Sequence, residues 1–113
     1  MSDRQAESAL FVKMYDLLVW LAHCVAGFPR AQRFLLASSL MHTAYACHAD
    51  LIRSRKVTAE ARAQALLDAD VELETLRMQW RVAHDLHCIS TSQYEHGARL
   101  MDEVGRLLGA RRK

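Results

Sequence analysis

At 113 residues, 51% of them apolar and 25% charged, the chain has room for one domain with one modest core. One proline and four glycines are too few turn residues for an all-β fold with its many hairpins. A formal net charge of +2 and a pI near 8.6 permit contact with nucleic acid without arguing for it.

Residues 1–7 are polar, lack a signal-peptide layout and read as a frayed end. From Ser8, an N-cap candidate, the spacing predicts a helix to about residue 26. Leu10, Met14, Leu17, Leu21 and Val25 form its buried stripe, widened by Phe11, Leu18 and Cys24. Gly27 ends it, and Pro29 near the start of the next helix completes a tight connector.

The second predicted helix spans about 30–53, with Phe34, Ala37, Met41, Ala44, Cys47 and Leu51 stepping at three and four residues. Arg53, Ser54, Arg55 and Lys56 follow as a basic connector opposing the negative helix end. The third helix, about 58–89, is the longest, roughly 45 Å at 1.5 Å per residue, and is free of Gly and Pro. Thr58 is its N-cap candidate, and Ala59, Leu66, Leu67, Leu73, Leu76, Trp80, Ala83 and Leu86 mark its apolar stripe. Ser90 with Gln93 then fits a capping box, and Ile89 with Tyr94 a hydrophobic staple. The fourth helix runs over about 91–108, with Tyr94, Ala98, Met101, Val104 and Leu108 inward and a basic tail after Gly109. Four helices joined by short connectors in a single domain over 1–113 read as an all-α, up-down-up-down antiparallel four-helix bundle.

The longest uncharged run, 34–49, is short and polar for a membrane span, so no membrane partner is expected. Cys24, Cys47 and Cys88 are odd in number and each lies in an apolar helical stretch, which suits a reduced, cytoplasmic protein. His84, His87 and Cys88 share one helix, with Cys47–His48 and His23–Cys24 on two others. Two readings stand for them: ligands of an interhelical metal site, or packed thiols beside edge histidines. No zinc-finger, metalloprotease or di-iron spacing is present, so no metal and no cofactor is assigned. Nothing arranges a nucleophile, a base and an oxyanion site, and Gly105–Gly109 lacks the run and lysine of a phosphate loop; the chain is not expected to be an enzyme.

The arginines offer the sharper chemistry, because guanidinium matches phosphate bidentately. Arg77 and Arg81 lie four apart on one face of the third helix, and Arg30, Arg33, Arg53, Arg55, Lys56 and Arg62 gather near connectors. The same stripe, continued through Asp70, Glu74 and Asp85, also reads as a solvated, salt-bridged face.

Several strings then occur in a telling order: Met14–Leu18, Phe28–Phe34, Leu73–Arg81, Ala83–Leu86, Ser92–His96 and Glu103–Gly109. Together, over about 10–109, they resemble the accessory variability determinant proteins of diversity-generating retroelements. Those are relatives of the four-helix-bundle proteins encoded in intervening sequences of bacterial large-subunit ribosomal RNA. The resemblance implies a homopentameric barrel of bundles that binds the retroelement's reverse transcriptase and nucleic acid. It implies a non-catalytic accessory role in copying a template RNA into mutagenised cDNA. By the matching strings, Arg77 and Arg81 are nucleic-acid contacts, with Arg30, Arg33 and Arg106 as further candidates. The second helix, with His42, Cys47 and His48, is richer in His and Cys than the family pattern. The alternative is an interaction bundle of the ribosomal intervening-sequence type with no reverse-transcriptase partner.

Overall fold

The structure, a computed structural model, describes residues 3–113, and the side chains of all of these except Asp3 and Ala6. Among the described residues every regular element is helical: α1 (Asp3–Val25), α2 (30–54), α3 (Ala59–Asp85) and α4 (Thr91–Arg112). Each helix packs on the next in sequence, and α4 closes back onto α1. This is the antiparallel four-helix arrangement that the short connectors imply, drawn out to 43 × 24 × 18 Å.

The core is a stack of the expected stripes, except that Ala59, Leu67 and Leu86 of the third stripe are exposed. The reason is that Ala59 and Leu86 fall at the two ends of α3, and Leu67 lies about 100° round from the buried Leu66. Leu10, Met14, Leu17 and Leu21 of α1 meet Leu40, Ala44, Cys47 and Leu51 of α2. Leu66, Leu73, Leu76, Trp80 and Ala83 of α3 and Met101, Val104 and Leu108 of α4 complete it. Burying a side chain of this size contributes about 1.5–3 kcal/mol, so the stripes dominate the folding energy. By length and composition Glu7–Val25 could cross a membrane. Its inward stripe, however, is sealed in this core.

Helix ends differ from the sequence expectation where distant groups decide them. Ser8 lies inside α1, which starts at Asp3, because Glu7 is gripped by Arg55, just past the end of α2, and by Arg111 of α4. Of the stretch expected to fray, residues 1 and 2 lie outside the described residues. α3 ends at Asp85, short of residue 89, in a Schellman turn. His87 adopts the left-handed conformation (φ 60°), Cys88 N–H donates to Ala83 O at 2.9 Å and His87 N–H to His84 O at 3.0 Å. Thr58 occupies the N-cap position of α3, but its side chain makes no cap hydrogen bond. α4 runs through Gly109 to Arg112.

The capping box at Ser90 is fully formed: Gln93 N–H donates to Ser90 Oγ at 3.0 Å and Ser90 N–H to Gln93 Oε1 at 2.9 Å. α2 is not uniform. A single α-turn, Arg30–Gln32, leads into a π-helical stretch, Arg33–Ala37, before the α-helix Ser38–Ser54. A π-turn absorbs one more residue than an α-turn, so it changes the angular phase of everything before it. Phe34, placed inward by its spacing, is therefore 85% exposed, and Leu35 beside it 75%.

Two glycines permit close helix contact. A Cβ on Gly97 would come within 2.5 Å of Trp80 Nε1, and one on Gly105 would collide with the Arg77 guanidinium. Trp80 thus lies flat against α4, donating its indole N–H to Tyr94 O at 3.0 Å, with Trp20 packed edge-on at 5.6 Å between centroids.

Candidate nucleic-acid interface

Antiparallel helices gather distant stretches at the same end, and this sorts the charge. Residues 3–8, 50–64 and 105–113 share one pole, which carries nine of the fifteen Lys and Arg but four of the thirteen Asp and Glu, a net of +5. The waist, formed by 9–21, 38–49, 65–79 and 96–104, has three basic and seven acidic residues, a net of −4. The opposite pole, 22–37 and 80–95, has three and two, a net of +1. A weakly basic chain therefore presents one strongly basic end.

Some of that charge is spent on holding the helices together. Glu7 accepts from Arg111 at 3.0 Å and faces Arg55 at 3.5 Å, while the Arg55 guanidinium lies 4.3 Å above the Phe11 ring. Asp50 pairs with Arg53, and Asp70 with Arg112 at 2.9 Å. Arg62, Arg106, Lys56 and Lys113 have no ion-pair partner among the described residues. Arg62 and Arg106 flank a groove of about 960 Å³ between the start of α3 and the end of α4. Leu66, Leu67 and Leu107 form its floor with Ala63 and Ala110, while Arg112 and Lys113 extend the basic rim. Glu60 is the acidic residue lining it.

The five arginines singled out from the sequence do not form one patch. Arg106 sits on the basic groove. Arg30, Arg33 and Arg81 are exposed at the opposite pole, where Arg33 reaches the carbonyls of Ala26 and Phe28 at 3.5 and 3.4 Å and so covers the end of α1. Arg81 has no ion-pair or hydrogen-bond partner among the described residues. Arg77 stands at the waist, clamped on Asp102 Oδ1 at 2.7 Å and reaching Met101 O at 3.4 Å, with its Nε buried and unpartnered. Its position over Gly105 makes it a strut between α3 and α4.

Arg111, Arg112 and Lys113 were read from sequence only as a tail, and Arg62 only as part of a connector cluster. The signal that joins them is the antiparallel topology itself, which brings the end of the fourth helix beside the start of the third.

A second electrostatic feature lies where the waist meets the basic pole. Asp50 is buried, and Glu72 Oε2 is buried without a donor. Desolvation, a hydrogen bond shared with the Asp50 carboxyl and the charges of Asp50 and Asp68 push the Glu72 carboxyl up to about 7, against the opposing pull of Arg53. Burial and the nearby Glu72, Asp50 and Asp70 push the Cys47 thiol up to about 12. A thiol so protonated is a poor nucleophile; it donates instead to Ala69 O at 3.4 Å.

The His and Cys residues do not converge. His84 stacks on Tyr94 at 4.7 Å and contacts Thr91 Oγ1 at 3.2 Å, His87 is exposed on the turn, and Cys88 is buried. Among the described residues, no group of three His, Cys, Asp or Glu side chains is placed to hold a metal.

Two outward faces remain apolar. Val12, Tyr15 and Val19 line one side of α1, and Leu67, Val71, Met78 and Val82 one side of α3, each at least about a third exposed. The two helices are diagonal partners in the bundle, so the faces look in roughly opposite directions.

A family model described as bAvd-like matches residues 9–113. No curated protein matches the chain. Among solved structures, the chain is similar to a protein of unknown function from the S23 ribosomal protein family of Bacteroides thetaiotaomicron. The TM-score is 0.85 at 14% identity, over 93% of this chain and 96% of that one.

Proposed function

The chain belongs to the bAvd-like family, and from that premise we propose that it is a non-catalytic accessory protein of a diversity-generating retroelement, binding the reverse transcriptase and template RNA or cDNA. The observation that carries the reading is the pole with a net charge of +5 and its unpaired arginines. Guanidinium groups free of carboxylate partners are available to phosphate, and neutralising phosphates releases counterions, which drives association. Arg62 and Arg106 make the first contacts; Arg30, Arg33 and Arg81 form a second set at the far pole. Arg77, engaged by Asp102, contributes through α4.

A homopentamer suits the surface. Two unlike apolar faces on diagonal helices favour a head-to-tail contact, and such contacts close into rings when the rotation allows. A ring multiplies a charge of +2 per subunit into a field able to steer a polyanion. Three unpaired cysteines suit a reducing cytoplasm. The likeness to an S23-family protein favours a second reading, an interaction bundle of that kind without a reverse-transcriptase partner.

Native mass spectrometry, followed by gel-shift titration in increasing salt, tests the proposal. A pentamer whose RNA affinity falls steeply with salt, and falls more on Arg106→Ala than on Arg77→Ala, is the expected outcome. A monomer, or no detectable RNA binding at low salt, would overturn it. Failure to co-purify with a retroelement reverse transcriptase, with RNA binding intact, would favour the second reading.

A further inference from the structure

The groove between the start of α3 and the end of α4 combines two features that duplex binding alone does not use. Its rim is cationic, with Arg62 and Arg106 unpaired on the two facing helices, and its floor is aliphatic, with the exposed Leu67, Ala63 and Ala110 lying over the buried Leu66 and Leu107. Its volume of about 960 Å³ is at the upper end of the range of small-ligand sites, about 300–1,000 Å³. A double helix presents phosphates outward and keeps its base faces stacked, so it could touch the rim but would leave the floor in water. A single strand offers both chemistries together: apolar base faces, and phosphates on either side of each nucleoside.

We propose that this groove is a site for unpaired nucleotides of a single-stranded nucleic acid. Bases settle on the floor of Leu67, Ala63 and Ala110, and the flanking phosphates are held by Arg62 and Arg106. The inference rests on the nucleic-acid reading above and adds that the protein prefers single strands to duplex. Arginine is suited to the rim because its planar guanidinium both grips a phosphate and lies flat against a base. Arg111 and Arg112, held by Glu7 and Asp70, shape the wall while the two unpaired arginines supply the attraction.

The test is fluorescence anisotropy of a short labelled oligothymidylate and a duplex of equal length. Both are titrated with the wild type and with an Ala63→Leu, Ala110→Leu double variant. That variant fills the floor with strong helix formers and alters no charge. The wild type should bind the single strand about tenfold more tightly, a step of about 1.4 kcal/mol. The double variant should lose that preference while its duplex affinity stays unchanged. Circular dichroism reports whether it folds, and if it does not, Arg62→Gln with Arg106→Gln takes its place and should weaken the single strand more than the duplex. Equal binding of both probes, unaffected by the leucines, would overturn the single-strand site and leave the nucleic-acid reading standing. No binding of either probe would overturn both. Binding of an acidic amphipathic peptide in the absence of any oligonucleotide binding would overturn them as well, assigning the groove to a protein helix.

Discussion

The two poles of this bundle solve different problems. At the far pole the chain turns through a Schellman motif and a complete capping box, and Trp80, His84 and Tyr94 join Trp20 and His96 at the edge of the waist in packing ring against ring. Local hydrogen bonds are satisfied there and little charge remains. At the basic pole the helices are held by ion pairs around Glu7, and several cations are left over. The far end chiefly holds the fold together and offers a smaller set of cations, the basic end chiefly meets a polyanion, and substitutions should separate the two roles.

The largest effect is expected at Trp80. Trp80→Ala removes a fully buried indole that seals α3 onto Gly97, and should cost about 3–5 kcal/mol, read as a lower midpoint in urea with an unchanged slope. If the variant still folds, its RNA affinity should be close to wild type; a matching loss of affinity would dissolve the distinction between the poles. Ser90→Ala comes next. It deletes the acceptor for the Gln93 amide and should cost about 1 kcal/mol in the same measurement, again without touching binding.

The smallest expected effect lies between the poles, at Glu72. Its folded-state pKa, about 7, stands above the unfolded carboxyl value, so the native state binds the extra proton. The stabilisation is complete below the unfolded pKa and declines as the pH rises through about 7. Glu72→Gln should flatten that decline and leave the variant the more stable of the two at pH 8, as followed by thermal melts across the pH series. A wild type whose melting point does not fall over this range would show that Glu72 and Asp50 share no proton.

Much of the architecture was legible because it is local. The Ser90–Gln93 pair, the Gly27–Pro29 connector and the three- and four-residue stripes are rules about neighbours in sequence, and the helices follow them. The features that escaped depend on remote partners. Glu7 extends α1 to Asp3 only because Arg55 and Arg111 arrive from elsewhere, and Phe34 leaves the core only because Arg33–Ala37 winds as a π-helix. The candidate site divides in the same way. Arg106 could be marked by its motif string, but its company, Arg62 across the groove, is set by topology. Arg77 looked free in the sequence because its partner Asp102 lies on another helix.

The π-helical stretch carries a consequence for how such a surface could change over generations. An extra residue wound into a helix is a residue that can be removed. Deleting one position within 33–37 would let the stretch relax to ordinary α-helix, leaving Ser38 onward in phase with the core. Everything upstream would keep its bearing, because the π-turn already holds back the rotation of about 100° that one more residue adds in an α-helix. Arg30 would stay where it is, and only the residues within the stretch would be re-aimed. Here a one-residue deletion, normally among the most disruptive of changes in a helix, is absorbed within a single turn.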